Sequence, residues 1–352
     1  MITHDDIARA LGLSKSTVSY ALNRHPKIPE DTRRRVHEKA EELGYRRNPL
    51  VDAHMEYVRG AKPRKDRPVI ALVHNWAEVA KMPALAEFIE GARRHAEAVG
   101  FGLEVLSFDS NRVSVERLNQ ILESRGTTGV IVAPLRKRHE LALDWSRLSA
   151  VAIGYSLREP QLHRVFFDPI EGTRETLRQL AALGYARPGL ALRAENDAWA
   201  NHLYSAAFAQ AQLGMAEKAR VPILWLPDDA VTVQGEVRTW LRRHRPDVVI
   251  THGGSGPGSL ATVLPKLGVR VPEDIGLCVT VIDPNQPQVA GLSGERGLVA
   301  AACVDLVTAQ MRHNETGVPE MPKQVLIRGR FVHGPTLRAA SAAVAAKAKS
   351  GM

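Results

Sequence analysis

The chain has 352 residues, 44 % of them hydrophobic and 24 % charged. That is the profile of an ordinary globular protein, and it excludes a collagenous or disordered chain. At roughly 100–200 residues per domain there is room for two or three folded units. The N-terminus, M-I-T-H-D-D-I, has neither a basic n-region nor an apolar h-region, and no apolar run is long enough to span a bilayer. A cytoplasmic protein without a membrane partner is expected. Cys278 and Cys303 lie in apolar runs without metal-ligand spacing, so buried free thiols are expected.

Charge is unevenly distributed. The net charge is +9, and residues 1–65 hold 14 Lys/Arg against 9 Asp/Glu, a net +5 in the first fifth of the chain. A concentrated basic segment suits a polyanionic partner.

Residues 4–45 read as three short helices. The first, D-D-I-A-R-A-L-G, places Ile7 and Leu11 four apart and stops at Gly12. The second follows Ser14 as N-cap and sets Val18 and Leu22 on one face. The third runs from about Pro29 to Leu43 with Val36, Ala40 and Leu43 at i, i+4, i+7, and Gly44 ends it. Pro49 then opens a possible helix ending near Arg59, and residues 60–68 read as a basic linker. From Pro68 onward, apolar runs alternate with helix-length segments. V-I-A-L-V, G-L-E-V-L-S-F, G-V-I-V-A-P-L and A-V-A-I-G-Y come first. After F-F-D the pattern repeats with G-L-A-L, P-I-L-W-L, D-V-V-I-T and G-L-C-V-T-V-I. Such alternation means parallel sheets covered on both faces, here as two α/β subdomains with a cleft between them. The Ala/Lys/Ser-rich end from Ala339 reads as a flexible tail.

The first two helices are joined by a tight turn, as in a helix-turn-helix. Ser14, Lys15, Ser16 and Thr17 then stand at the start of the helix that would enter a major groove, with Ser19 and Tyr20 one turn on. All are small, polar or basic, as base and phosphate contact requires. Spacing alone leaves a plain helical hairpin open.

The residues of this segment decide between the two. Asp6, Ile7, Ala8, Ser14, Thr17, Val18, Ser19, Leu22, Asn23, Thr32, Arg33, Val36, Glu42, Leu43, Gly44, Tyr45, Asn48 and Pro49 stand at the spacing of D-I-A-x-x-A-G-V-S-x-x-T-V-S-x-x-L-N, T-R-x-x-V and E-L-G-Y-x-P-N-P. The segment thereby resembles the DNA-binding head of lactose-repressor (LacI/GalR) family regulators. F-F-D-P-I-E-G-T, G-V-R-V-P-E-D-I-G-L and R-G-R-F-V-H-G-P-T resemble that family's core less tightly. The resemblance implies an α/β protein with a helix-turn-helix head over residues 1–47, a hinge helix and linker over 48–67, and a tail over 339–352. Between them, residues 68–338 would form a two-lobed, periplasmic-binding-protein-like core. It implies a homodimer that binds double-stranded operator DNA, a repressor controlled by a small-molecule effector such as a sugar or related metabolite.

The resemblance also assigns roles residue by residue. Lys15, Ser16 and Tyr20 align with base-reading positions. Lys15 is suited to guanine O6/N7, and Tyr20 offers a hydroxyl and an apolar face. Ser14, Thr17, Ser19, Asn23, Thr32, Tyr45 and Asn48 align with backbone-contact positions, and Arg33 is expected to bind all sequences alike. The hinge departs from the pattern. The family's minor-groove leucine falls at His54, followed by Met55, and Arg47 replaces a proline. Three readings are open: Met55 wedges after a small rotation, His54 wedges less well, or the hinge bends DNA weakly.

Ligands of α/β cores bind at strand carboxyl ends, which points to Asn75, Trp76, Arg136, Tyr155, Asp168, Arg193, His252 and Asp283. Asp168 could equally be a helix N-cap, and Trp76 could be core. Where the family often carries an effector-binding Arg, this chain has Asn201 and His202. The loop H-G-G-S-G-P-G after D-V-V-I-T lacks both the third glycine of a dinucleotide site and any G-K-[ST], so it is expected to shape the cleft rim. No G-x-S-x-G, H-E-x-x-H or metal cluster appears, and a DNA head has no use in a two-lobed dehydrogenase. No enzyme activity, catalytic residue, cofactor or metal is expected.

A wedge needs a flexible apolar side chain, and a histidine partly charged near neutral pH desolvates poorly between bases. Met55→Ala is therefore expected to lower both operator affinity and bend angle, and His54→Leu to raise affinity. Bend angle and affinity of the two variants on one operator check this; two silent substitutions would mean a hinge that never inserts.

Overall fold

The computed structural model describes residues 3–22, 28–43, 67–77, 79, 82–108, 113–136, 139–253 and 258–339. The expected hinge helix and linker, the glycines of the 254–257 loop and the tail beyond residue 339 lie outside these. The chain divides into two compact units, and the larger holds residues 67–310 and 316–352.

The head consists of α1 (His4–Leu11), α2 (Lys15–Leu22) and α3 (Glu30–Glu42). Thr3 starts α1 with its N–H and hydroxyl both donating to Asp6 Oδ2, at 2.9 and 2.8 Å, a reciprocal cap for helix-end donors that would otherwise go unpaired. These bonds hold the Asp6 carboxyl below its usual range. Gly12 ends α1 in the left-handed conformation at φ 64°, its N–H on the Ala8 carbonyl, and so turns the chain sharply into α2. Ile7, Ala8, Val18, Ala21, Leu22, Val36 and Ala40 close one small core among the three helices.

The larger unit has two lobes. Lobe one begins with β1 (Val69–His74), α4 (Pro83–Ala98), β2 (Gly102–Ser107), α5 (Val115–Ser124) and β3 (Gly129–Val132). A short β4 (His139–Glu140), then β5 (Ser149–Ile153), β6 (Leu157–Glu159) and β7 (His163–Phe167) follow. Helix α6 (Pro169–Ala182) leads into lobe two, built from β8 (Pro188–Leu192), α7 (Ala194–Trp199), α8 (Leu203–Leu213), β9 (Leu224–Trp225), α9 (Ala230–His244), β10 (Val248–Thr251), α10 (Leu260–Lys266), β11 (Gly276–Val279) and β12 (Ala290–Leu292). Helix α11 (Arg296–His313) and β13 (Gln324–Ile327) return to lobe one, and β14 (Phe331–Val332) ends in lobe two.

The sheet orders are β13-β7-β5-β3-β1-β2 and β14-β12-β11-β10-β8-β9, with β4 pairing only β6. Every pair is parallel except β12–β14. The central strands β3, β5, β8, β10 and β11 are buried at every position, because helices cover both faces of a parallel sheet. In lobe one, Leu118 and Leu122 of α5 pack on Ala71, Val73, Val130 and Val132. In lobe two, α9 and α10 cover one face through Val233, Val237, Trp240 and Leu260. Leu180 of α6 with Tyr204 and Phe208 of α8 cover the other. Both cysteines are free and buried, and burial raises their thiol pKa values, that of Cys278 to about 12. Among the described residues no helix is long and apolar enough to cross a membrane.

The lobes are discontinuous in sequence. The chain crosses between them after Phe167, between Leu292 and Arg296, and between Ile327 and Phe331. On its return, α11 lies against lobe one. Gln310 accepts from the Ala150 N–H at 3.2 Å and donates to its carbonyl at 3.4 Å, standing in for a strand neighbour. Near the start of α11, Gly297 meets Gly91 of α4, and a Cβ on Gly91 would come within 2.5 Å of the Gly297 Cα. The obstacle is backbone on both sides, so no rotamer relieves it. Gly91→Ala is expected to destabilise the core by about 1–3 kcal/mol, the usual range for overpacking, read as a lower urea midpoint at unchanged slope.

Candidate functional site

On the head, α2 presents a polar face opposite its buried Val18, Ala21 and Leu22. Lys15 and Ser16 are exposed, Ser19 half-buried and Tyr20 47 % exposed, and the spacing i, i+1, i+4, i+5 groups them on one side of a helix. Ser14 starts the helix. Its hydroxyl accepts from the Thr17 N–H at 3.0 Å and bonds the Ser16 and Thr17 hydroxyls at 2.8 Å each. Lys15 Nζ reaches Asp5 Oδ2 at 2.6 Å with both side chains more than half exposed. Such a screened pair contributes at most about 1 kcal/mol, so the ammonium exchanges partners readily. Thr32 is half-buried near the start of α3. Arg33 donates through Nε to the Ile28 carbonyl at 3.1 Å and lies 2.9 Å from Glu30, so its guanidinium braces the turn before α3. Asn23, Tyr45, Asn48, His54 and Met55 lie outside the described residues.

In the larger unit a cavity of about 450 Å3 opens at the strand carboxyl ends of both sheets, the position this architecture leaves for ligands. Trp76 follows β1 and Tyr155 follows β5; His252 follows β10 and Asp283 lies beyond β11. All four line it. The Trp76 indole N–H donates to the Pro134 carbonyl at 2.7 Å, and its backbone N–H donates to His74 Nδ1 at 3.2 Å. His74 is buried, which lowers its pKa. Tyr155 donates to Gln324 of β13 at 3.0 Å, packs edge-on to Phe166 at 5.4 Å and lies under the Arg164 guanidinium at 5.1 Å. Burial raises its hydroxyl pKa. His252 Nδ1 and Thr280 Oγ1 share a hydrogen bond of 3.0 Å. Burial and the nearby Arg296 guanidinium push the imidazole down to about 4.

The other strand-end candidates serve loops. Asn75 accepts from the Arg136 N–H at 2.8 Å, and Arg136 itself is exposed. Asp168 acts as the N-cap of α6, accepting from the Ile170 and Glu171 N–H groups at 3.0 Å each. Arg193 bonds the Pro227 carbonyl and pairs with Asp228 at 3.6 Å. Asn201 and His202 form a left-handed turn before α8 at φ 54° and 61°. The His202 ring lies 3.2 Å from the buried Asp197, which also accepts from Ser205. None of these six lines this cavity; Arg193 faces a smaller neighbouring one.

Sequence reasoning did not single out much of the wall. Phe166 and Phe167 end β7, Trp199 ends α7, Tyr204 opens α8, and Leu85 and Phe88 come from α4. Phe166, Phe167, Tyr204 and His252 make a ladder of rings with centroids 4.2 to 6.1 Å apart. Arg296, at the crossover into α11, donates to Glu87 of lobe one and to the Ile282 carbonyl of lobe two, each at 3.0 Å. The available signal was F-F-D itself: the strand-end rule applied to that short run points to Phe167.

A three-helix head with a polar face on its second helix, together with a two-lobed unit that holds a cavity at its strand ends, is the make-up of a DNA-binding transcriptional regulator. Comparison with known proteins makes the assignment specific. The family model for bacterial regulatory proteins of the lacI family matches residues 3–48. An HTH-type transcriptional regulator of Bacillus subtilis (strain 168), YkvZ, is 24 % identical over 281 residues, 77 % of this chain and 81 % of that protein. Among solved structures, a transcriptional regulator CelR–cellobiose complex superposes with a TM-score of 0.57 at 20 % identity, covering 96 % of this chain and all of that one. The lac repressor dimer bound to operator and the anti-inducer ONPF gives 0.55 at 17 % identity, over 96 % and 99 %. Residues 3–48 match the DNA-binding head of the lacI family, and the larger unit has the two-lobed, periplasmic-binding-protein-like fold of these solved regulators.

The His252 environment sets a pH dependence. In the unfolded chain the imidazole takes up a proton near its ordinary 6.5, and in the fold only near 4. Between these values the unfolded state binds more protons, so stability is full above about 6.5 and declines as pH falls towards 4. Urea midpoints measured across this window are expected to fall for the native chain and to fall less steeply for His252→Asn. His74, shifted in the same direction, supplies a further part of the slope.

Proposed function

We propose that the protein is a homodimeric repressor that reads a near-palindromic operator through α2 and is controlled by a small molecule, a sugar or related metabolite, held between its lobes. The working division is a head over residues 1–47, a hinge and linker over 48–67, an effector core over 68–338 and a tail over 339–352. It acts on DNA in the cytoplasm, without catalysis. The observation that carries this reading is the polar face of exposed Lys15, Ser16 and Tyr20 and half-buried Ser19 on a helix whose other side is buried. Solvating one lysine, one phenol and two hydroxyls on one short helix gives no packing advantage, whereas a major groove uses each of them. The lac repressor's dimer on operator and CelR's cellobiose complex support the partners by likeness of fold. A two-fold protein reads two-fold sites.

In this reading Lys15 donates to a guanine edge and Tyr20 offers a hydroxyl and a ring to its neighbours. Ser14, Thr17 and Ser19, with Thr32, face phosphates, and Asn23, Tyr45 and Asn48 extend that set. Arg33 contributes by bracing the turn before α3 as well as by charge.

Selection on a randomised duplex supplies the operator, and fluorescence anisotropy supplies affinities. Lys15→Ala is expected to relax preference at one base pair per half-site at a cost of about 1–3 kcal/mol. Arg33→Ala is expected to weaken all sequences alike. Affinity should also fall with salt at about 0.9 in log K per phosphate neutralised. Equal affinity for operator and scrambled DNA at fixed salt would instead identify a non-specific architectural binder.

A further inference from the structure

Two aspartates stand side by side in the first turn of α1, and their side chains part. Asp6 turns back to Thr3 and completes the helix cap. Asp5 crosses to α2, where its Oδ2 meets Lys15 Nζ at 2.6 Å. Asp5 Oδ1 has no partner among the described residues. The pair gives the head little stability, since both groups face water. Nor does α2 gain from its lysine. Lys15 opens that helix, at the end where the macrodipole disfavours a cation. A residue that its own helix disfavours, held by a carboxylate from the neighbouring helix, is accounted for by what the pair can face.

With α2 in a major groove, the pair faces a base-pair edge. A guanine shows two acceptors there, N7 and O6, and the amino group of its cytosine stands beside O6. O6 and N4 are joined by the base pair's own hydrogen bond and lie roughly 2.9 Å apart. The ammonium and carboxylate, 2.6 Å apart, set a donor beside an acceptor at a matching spacing. Lysine has three N–H donors, two for the guanine and one for Asp5. The second Asp5 oxygen then accepts from the groove-side N4–H. An adenine in place of the guanine still offers N7, but its thymine turns O4 towards the carboxylate, and two acceptors repel. Phosphates would drive off a lone carboxylate; with an ammonium beside it, the pair enters the groove without net charge. Resting on the reading of α2 as the operator-reading helix, we propose that Asp5 and Lys15 read one G·C base pair as a unit. Lys15 takes the guanine and Asp5 the cytosine amino group, so that α1 supplies a specificity-determining residue.

The test uses the full chain. Selection on a randomised duplex, run with the native chain and with Lys15→Ala, identifies the base pair that Lys15 reads. Asp5 is exposed in a helix, a position where alanine is well tolerated. Asp5→Ala is expected to relax the same base pair from guanine towards either purine, its preference for G·C over A·T falling about tenfold. In the double variant the two losses should not add, because the groups act together. A second measurement needs no variant. N4-methylcytosine opposite that guanine keeps the base pair but removes the groove-side N–H. Native affinity is expected to fall about tenfold on this duplex, while Asp5→Ala binds the methylated and unmethylated duplexes alike. An unchanged preference in Asp5→Ala overturns the proposal and leaves the reading of α2 intact. So does a uniform gain in affinity for all sequences, the result a merely repulsive carboxylate would give. Equal native affinity for the two duplexes has the same force. A Lys15→Ala chain that selects the native sequence overturns the proposal and the reading of α2 together.

Discussion

A parallel sheet must hide both faces under helices, and every feature of the larger unit follows from that constraint. With the faces covered, the strand ends are left open, and the carboxyl ends of the two sheets share one cavity. The residues lining it are those that happen to follow a strand or open a neighbouring helix. The loops around it hold their shape through bonds made inside the protein, such as Trp76 on Pro134 and Tyr155 on Gln324. The cavity is therefore preformed, and a ligand need not organise it before binding.

Much of this was legible in the chain. Continuous apolar runs revealed most of the central strands, because a strand buried on both faces leaves no polar alternation. The head was more legible still, since its helix caps and core positions recur at fixed spacing. The strands at the margins do not show as apolar runs. In β7, His163 and Arg164 are buried by neighbours remote in sequence. β13 is an edge strand that alternates exposed and half-buried residues, and β12 has only three residues. None makes an apolar run long enough to be read locally.

The site was legible to the extent that strand ends were. Trp76, Tyr155, His252 and Asp283 line the cavity because each directly follows a strand or lies a few residues past one. Arg136 and Arg193 also follow strands, but long side chains reach away from their backbone, the first to solvent and the second to Asp228. Asp168 shows the limit of the rule. A carboxylate just ahead of a helix finds two unpaired N–H groups in its own backbone, and that local pairing prevails over any distant one. Trp199, Tyr204 and Arg296 come from helices whose placement depends on the lobe crossovers, which no local pattern encodes.

Those crossovers also govern how the protein can be divided. The three helices of the head are consecutive in the sequence, so they can be exchanged as one piece. The lobes cannot, since β13 and β14 leave the same C-terminal segment to complete opposite sheets. A premature stop near residue 320 would remove an edge strand from each sheet at once. Neither lobe can be exchanged with a relative's by a single recombination event. The two are therefore constrained to be inherited and to diverge together, while the head remains free to be replaced.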